Sequence, residues 1–294
     1  MKTILTKKTI LIGLVVLVAL LGFLKVYIFS SDVILPQFFS IFGLKIYYYG
    51  LCMALGVLVA YYFAKSRLES YGIKQSDLDN IVLILIINGF IGARLYHVFS
   101  SFDYYQNNWT EILSVWNGGL SIFGAIIGGL IGVYAYQRFY MSESRVSLLK
   151  LLDFLAPSVI IGQIIGRFGN LFNYEAYGIP TNLVWKMFVP QIFRIPPFEV
   201  YEFFHPLFLY EALAGLLILI LLIKLVDIVR TGQIFFIWLG LYSVVRFGTE
   251  LLRIDSPYLF GIKQNLISSG ILIIVSIVVV VYLSKKSINE SNQT

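Results

Sequence analysis

The chain contains little of what a disulfide scaffold or a metal centre requires. Its 294 residues include one cysteine, Cys52, and two histidines, His97 and His205. A single cysteine forms neither an internal disulfide nor a thiolate cluster, and two histidines are too few for a histidine-rich metal site. We therefore predict that the protein uses no metal and no cofactor.

Charged residues are scarce as well. They make up 13% of the chain, whereas 59% of the residues are hydrophobic, and the mean hydropathy is +0.84. Soluble globular domains carry about 25% charged residues. This composition predicts an all-α polytopic membrane protein whose partner is the lipid bilayer.

Long apolar runs, in contrast, are abundant. A membrane-spanning helix needs about 20 mostly apolar residues. The sequence predicts eight such helices, which leave no room for a separate soluble domain. The longest polar connection, around 173–205, is long enough only for a small extracytoplasmic head. The predicted spans are 9–29, 46–64, 80–99, 119–137, 148–172, 206–226, 232–251 and 264–283.

The basic residues indicate the orientation of these spans. Lys2, Lys7 and Lys8 precede the first one, which is longer than a signal-peptide core and is followed by no clear cleavage site. With a cytoplasmic N-terminus, more than half of the 22 lysines and arginines fall at cytoplasmic ends, as the positive-inside rule requires. We therefore expect an uncleaved first helix and two cytoplasmic termini. The net charge of +6 then reflects topology and not a nucleic-acid partner.

The segment GRFGNLFNYEAYG, residues 166–178, concentrates polar groups at the end of a predicted span. Arg167, Asn170 and Asn173 recur every three residues, which places them on one face of a continuing helix. Polar groups at the edge of the hydrocarbon are costly and usually line a cavity or a substrate path. The glycines leave room for a close neighbour. The alternative is an ordinary helix end with a snorkelling arginine.

A second polar stripe is predicted on the span 232–251. Tyr242, Arg246, Glu250 and Arg253 stand at i, i+4, i+8 and i+11. Glu250 is expected to hold one arginine and to leave the other for an anion, and the planar guanidinium suits phosphate. The alternative is a self-satisfied ion-pair ladder. Two arginines on different helices, Arg167 and Arg246, indicate a phospholipid head group as the ligand.

Four further stretches carry polar groups or glycines in spans. Tyr47, Tyr48 and Tyr49 open the second span, as an interfacial belt or as part of a site. Arg94 and His97 form either a buried structural pair or a ligand contact. Tyr210 and Glu211 follow His205 and Pro206, and a carboxylate at that depth is expected to pair with an arginine. Close helix packing is predicted where glycine recurs every four residues, at Gly124, Gly128 and Gly132.

These motifs resemble the prolipoprotein diacylglyceryl transferase family. Residues 166–178 match its signature GRxGNxxNxExxG at every fixed position. The motifs YGL at Tyr49, GARL at Arg94, HPxxLYE at His205 and RFxxExxR at Arg246 follow in the family's order. The resemblance covers about residues 35–283. It implies a seven-helix core at 35–284, with an added helix and linker at 1–34 and a polar tail at 285–294.

The resemblance also implies an activity. Members of this family are bacterial inner-membrane enzymes that transfer diacylglyceryl from phosphatidylglycerol to the lipobox cysteine thiol of a prolipoprotein signal peptide. Glycerol phosphate is released. This transfer is the first step of lipoprotein maturation.

Individual positions carry over with it. Arg167 and Asn170 are implied to bind phosphatidylglycerol, with Asn173, Glu175 and Gly178 completing that site. Arg246, Tyr242 and Tyr49 correspond to positions tied to catalysis. The supporting positions are Arg94, His205, Tyr210, Glu211, Glu250 and Arg253.

Three positions depart from the family pattern. Phe123 stands where members commonly have a histidine proposed as the base, Asn117 replaces an acidic residue, and HPLFLYE lacks a glutamine. A thiol with a pKa of about 8.5 must lose its proton before it attacks. His97, Tyr49, Tyr242, water and the lipid phosphate remain as candidate bases.

Other functions are compatible with parts of the pattern. A non-catalytic phospholipid-binding protein, or a divergent paralogue with another acceptor, would use the same arginines. An anion transporter is expected to show related halves, and GRFGN has no second copy. An intramembrane serine protease is disfavoured because the chain has no GxSxG motif.

Overall fold

The structure is a computed structural model that describes residues 22, 25–26, 28–31, 33–115, 118–141, 146–259 and 261–291. This part of the chain is mostly helical, and six of its helices are long and apolar enough to cross a membrane. Many of their apolar side chains face outward, as lipid contact requires. The prediction of an all-α multi-pass membrane protein is confirmed.

The long helices follow the predicted spans closely. They are α1 (Tyr48–Lys65), α3 (Gln75–Ser100), α5 (Ile122–Phe139), α6 (Leu148–Asn173), α7 (Leu207–Leu225), α8 (Gln233–Leu252) and α9 (Gln264–Ser291). Six of them, α1, α3, α6, α7, α8 and α9, meet the length and hydropathy of a membrane span. Two single-turn helices, α2 (Leu68–Tyr71) and α4 (Phe102–Tyr105), lie in connections. The predicted span 9–29 falls almost entirely outside the described residues.

Short strands are confined to the connections. Strands β1 (Phe38–Ile41) and β2 (Leu44–Tyr47) form a hairpin directly before α1. Strands β3 (Met187–Phe188) and β4 (Phe203–Phe204) pair in the segment that joins α6 to α7, and β5 (Tyr258–Leu259) and β6 (Ile262–Lys263) pair between α8 and α9. All three pairs are antiparallel.

Residues 60–158 form one compact unit. Helices α3 and α5 pack there with almost no side chain between their backbones. A Cβ atom on Gly124 would lie 2.1 Å from the carbonyl oxygen of Gly92, and one on Gly128 would lie 2.2 Å from that of Asn88. The close packing predicted from the glycine repeat is confirmed.

The described residues before 60 and after 158 form the second unit, which we call the terminal unit. Its buried core includes Leu171, Tyr177, Met187, Phe204 and Phe208. Helices α7 and α8, and then α8 and α9, are packed neighbours. Contacts between residues of different helices place the starts of α1 and α7 beside the ends of α6 and α8. Polar residues at these four helix ends form the candidate site.

Candidate functional site

Two arginines and two glutamates from three helices meet in the terminal unit. Arg167 of α6 lies 2.5 Å from Glu211 of α7, between Nη2 and Oε2. The other carboxylate oxygen of Glu211 lies 3.1 Å from Nη1 of Arg246, on α8. Nη2 of Arg246 lies 3.0 Å from Oε2 of Glu250, one turn further along α8. We call these four residues the ion-pair cluster.

Three neutral side chains complete the cluster. The Tyr242 hydroxyl accepts a hydrogen bond from Nη2 of Arg167 at 2.7 Å. The Thr249 hydroxyl donates to Oε1 of Glu211 at 3.1 Å. Nδ2 of Asn265, in the first turn of α9, donates to Oε1 of Glu250 at 3.1 Å. Both carboxylates are therefore held by more than one donor.

Burial explains why these groups are paired. The side chains of Glu211 and Glu250 are 2% and 0% exposed, and those of Arg167 and Arg246 are 19% and 16% exposed. A buried ion without a partner is strongly destabilising. The two positive and two negative charges balance, so each charge in the cluster has an opposite partner before any ligand binds. The arginines are its more accessible members.

The guanidinium groups retain unused donors. Arg167 makes both of its contacts through Nη2, and no partner of its Nε or Nη1 lies in the part of the chain that the structure describes. Within the same residues, Nε of Arg246 has none either. Nε and Nη1 of Arg167 lie on different edges of the guanidinium, so each offers its own N–H group for a charge-assisted hydrogen bond to a phosphate oxygen.

The helical stripe predicted on α8 is correct for Tyr242, Arg246 and Glu250 but wrong for Arg253. Helix α8 ends at Leu252, and Arg253 adopts an extended conformation. It forms an antiparallel bridge with Gly178, and its guanidinium pairs with Asp255. The prediction that Glu250 leaves one arginine of the stripe unpaired is also wrong, because Asp255 and Glu211 supply further carboxylates.

The signature segment closes the end of α6. The helix continues to Asn173, so Arg167, Asn170 and Asn173 share a face as predicted. The two amides, however, are directed at Glu175. Its Oε1 accepts from Nδ2 of Asn170 at 2.9 Å and lies 3.4 Å from that of Asn173. Tyr174 has a positive φ of 51°, which ends the helix and turns Glu175 back over it.

Two signature glycines permit close approaches. A Cβ atom on Gly169 would lie 2.8 Å from Cδ2 of the Tyr49 ring, so glycine there lets α1 bring this tyrosine against the end of α6. A Cβ atom on Gly178 would lie 2.9 Å from Cβ of His205. The amide of Gly178 also donates to the carbonyl oxygen of His205 at 2.9 Å. Both close approaches are possible only because glycine has no side chain.

His205 and Tyr210 belong to a second polar group, at the start of α7. The Tyr210 hydroxyl accepts from Nε1 of Trp185 at 2.8 Å and lies 3.0 Å from Nδ1 of His205. Burial lowers the pKa of His205, which favours the neutral imidazole. Pro206 directly precedes α7, which begins at Leu207 and not at the proline itself.

In the unit 60–158, Arg94 makes structural contacts. Its guanidinium donates to four backbone carbonyls, those of Glu111, Ile112, Gly118 and Gly119, at 2.5 to 2.9 Å. This arrangement supports the structural alternative for Arg94.

Its predicted partner His97 lies in the same unit. The imidazole packs edge-on against Tyr105, with the ring centroids 5.8 Å apart. A Cβ atom on Gly119 would lie 2.7 Å from its Nε2. Phe123 packs against Tyr96, with the ring centroids 6.0 Å apart.

Sequence reasoning missed Thr249, Asn265, Trp238 and Gln163. Nε1 of Trp238 donates to Oε1 of Gln163 at 3.3 Å, and its ring stacks on Tyr242. A polar residue inside a predicted span is the signal that could have found Gln163. There was less reason in the sequence to select Asn265, because it stands at the start of an apolar run and not inside it. No group of three or more metal-binding side chains occurs among the described residues.

Comparison with known proteins identifies a family whose similarity covers the residues of the site. The family model described as prolipoprotein diacylglyceryl transferase matches residues 36–282. A Thermotoga maritima protein named phosphatidylglycerol–prolipoprotein diacylglyceryl transferase is 37% identical over 250 residues, covering 84% of each chain. The protein of that name from Fervidobacterium nodosum is 36% identical over 291 residues, covering 97% of this chain and 99% of the other. The one from Synechocystis is 35% identical over 255 residues, covering 84% and 89%.

Proposed function

This chain belongs to the prolipoprotein diacylglyceryl transferase family, and we propose that it is a transferase that carries out the first step of lipoprotein maturation. It transfers the diacylglyceryl group of phosphatidylglycerol to the lipobox cysteine thiol of a prolipoprotein signal peptide and releases glycerol phosphate. The names of its relatives support both substrates.

The observation that carries the proposal is that Nε and Nη1 of Arg167 have no partner among the described residues. Nη2 of Arg167 is held by Glu211 and Tyr242, which fixes the guanidinium plane. Nε and Nη1, which lie on different edges of the guanidinium, then donate to oxygens of the lipid phosphate. Asn170, Asn173, Glu175 and Gly178 shape the same site, because they close the end of the helix that carries Arg167.

The reaction is a nucleophilic substitution. The cysteine sulfur attacks the diacylglyceryl carbon that is bonded to the phosphate oxygen, and a C–S bond forms as the C–O bond breaks. The electron pair of that bond leaves with glycerol phosphate, and the thiol proton passes to a base. Negative charge therefore grows on the phosphate in the transition state.

Arg246 is positioned to respond to that charge. It shares Glu211 with Arg167, so both guanidinium groups lie at the same carboxylate. We assign phosphate binding to Arg167 and transition-state stabilisation to Arg246. Tyr242 orients Arg167, and Tyr49 packs its ring on the helix end at Gly169. Removing one charge-stabilising donor typically slows catalysis by about 100- to 1000-fold.

The protein is a multi-pass membrane protein, and we place it in the bacterial inner membrane with both termini in the cytoplasm. The ion-pair cluster then lies at the outer ends of its helices, where a translocated signal peptide presents its cysteine. The proposed organisation is a helix and linker at 1–34, a transferase domain at 35–284 with a small head around 173–205, and a tail at 285–294. Reporter fusions at the 101–118 and 226–232 connections test this orientation, since the first should report outside and the second inside.

Mass spectrometry tests the activity directly. Purified protein is incubated with phosphatidylglycerol of defined acyl chains and a lipobox peptide, and the peptide is then weighed. We expect the mass of one diacylglyceryl group to be added to the cysteine, and no addition when serine replaces the peptide cysteine. Lipid that binds without modifying the peptide would instead support a non-catalytic phospholipid-binding protein.

The variant Arg167→Lys tests the phosphate contact. Lysine keeps the positive charge but loses the planar pair of donors, so we expect transfer to fall by about 100-fold or more while the protein remains folded. Arg230→Lys is the matched control, because Arg230 contacts the backbone of Ser284, away from the cluster. Near-normal transfer by Arg167→Lys would contradict phosphate binding through the guanidinium donors of this residue.

A further inference from the structure

The junction of β6 and α9 contacts the end of α8 at two points. Nζ of Lys263 donates to the carbonyl oxygen of Glu250 at 2.9 Å and also contacts that of Arg253. A lysine at the C-terminal end of a helix satisfies carbonyls that have no helical partner. Two residues later, Asn265 reaches the Glu250 side chain. One contact therefore secures the backbone of the helix end, and the other secures the carboxylate.

The orientation of the Glu250 carboxylate determines its contact with Arg246. Its side chain is fully buried, with Oε1 facing Nδ2 of Asn265 and Oε2 facing Nη2 of Arg246 at 3.0 Å. A carboxylate accepts hydrogen bonds and donates none, so only the amide nitrogen of Asn265 can face it favourably. If this amide were lost, the carboxylate would have one fewer donor and could rotate about its last torsion, because such terminal torsions are broad.

We infer that Asn265 is a positioning residue, which fixes the Glu250 carboxylate and, through it, the guanidinium of Arg246. The inference rests on the proposed transferase function, in which Arg246 stabilises charge that develops in the transition state. Asn265 does not touch the lipid in this scheme. Its loss should therefore lower kcat and leave the KM for phosphatidylglycerol nearly unchanged.

A double-mutant cycle tests this inference with Asn265→Leu, Glu250→Gln and the combination of both. We expect Asn265→Leu to lower kcat by about tenfold, the loss of one hydrogen bond to a charged group. In the Glu250→Gln background the same change should have little further effect, since the carboxylate through which it acts is gone. Asn265→Gln keeps the amide and should recover part of the rate.

The control is Gln264→Leu. Gln264 is the preceding residue of α9, and its backbone amide donates to the carbonyl oxygen of Pro257. We expect a normal kcat for this variant. Midpoints of thermal unfolding in detergent, measured for every variant, separate loss of fold from loss of rate.

The outcomes distinguish this inference from the function on which it rests. A wild-type protein that transfers nothing would overturn the proposed function and this inference with it. A wild-type protein that transfers lipid, together with kcat effects that multiply independently in the cycle, would overturn the inference alone. A change confined to KM would do the same, because it would place Asn265 in lipid binding.

Discussion

Arg167 and Tyr242 lie on different helices and share a hydrogen bond of 2.7 Å from Nη2 to the phenolic oxygen. Tyr242 is fixed in turn, because its ring stacks on Trp238 at an interplanar angle of 23°. Trp238 donates to Gln163, one turn before Arg167 on α6. The two helices are thus joined at the arginine itself and one turn before it, which restricts the directions that its guanidinium can take.

Replacing Tyr242 by phenylalanine should remove the hydrogen bond that orients Arg167 while leaving the aromatic ring in place. The ring and its stacking on Trp238 remain, and only the hydroxyl is lost. Hydrogen bonds to charged groups contribute about 1.5–3 kcal/mol, so we expect kcat/KM for phosphatidylglycerol to fall by about tenfold or more. Tyr282→Phe, on an exposed face of α9, serves as the control. Equal rates for the two variants would show that the hydroxyl does not orient Arg167.

Glu250→Gln tests whether this carboxylate holds Arg246 or acts as the base. Glutamine keeps the size of the side chain but removes the charge that faces Arg246 at 3.0 Å. We expect a lower rate or a lower unfolding midpoint, with the rise of the rate with pH preserved. The measurement is the rate of peptide modification across pH. A rate that no longer depended on pH in this variant would identify Glu250 as the titrating base.

The membrane architecture was predictable because it depends on local composition. Apolar runs of about 20 residues identify spans without knowledge of their neighbours. Helices α6 to α8 begin and end within a few residues of the predicted limits, whereas α9 extends to Ser291, beyond its predicted end at 283. The close packing of α3 and α5 followed from the glycine repeat for the same reason. The short paired strands were not predicted, because two-residue strands carry no periodic pattern.

The candidate site was predictable in its members and less so in its pairing. The family motifs named Arg167, Glu211, Arg246 and Glu250, and the family is confirmed. Sequence spacing could not show that one carboxylate serves arginines from two helices, because that contact depends on how the helices pack. It also extended the α8 stripe to Arg253, since helical spacing does not reveal that the helix ends at Leu252.

Gly178→Ala should disturb the site by displacing the backbone that supports it. The added methyl group would lie 2.9 Å from Cβ of His205 and 3.2 Å from the carbonyl oxygen of Leu252, so the backbone must shift. Overpacking of this kind costs about 1–3 kcal/mol, and we expect a lower unfolding midpoint and little transfer. Gly248→Ala is the matched control, because its Cβ would meet nothing within 4 Å. If both variants were equally stable and active, the close approach at Gly178 would be unimportant.

His97 is the remaining histidine candidate for the base, since Phe123 cannot accept a proton and His205 contacts Tyr210 through Nδ1. A neutral imidazole can take a thiol proton at physiological pH. If His97 is the base, His97→Phe should abolish most transfer, and Phe123→His in that background should restore part of it. The measurement is peptide modification by mass spectrometry, with the unfolding midpoint recorded because His97 packs against Tyr105.

The contrary result is equally informative. If His97→Phe transfers at the normal rate and Phe123→His adds nothing, neither position supplies the base. A tyrosine, a water molecule or the lipid phosphate must then accept the proton. The pH profile of His97→Phe would separate a tyrosine from the phosphate. A tyrosine phenol has an ordinary pKa near 10 and would place the rise of the rate at high pH. A phosphate base would give a rate limited by ionisation of the thiol itself, with its pKa of about 8.5.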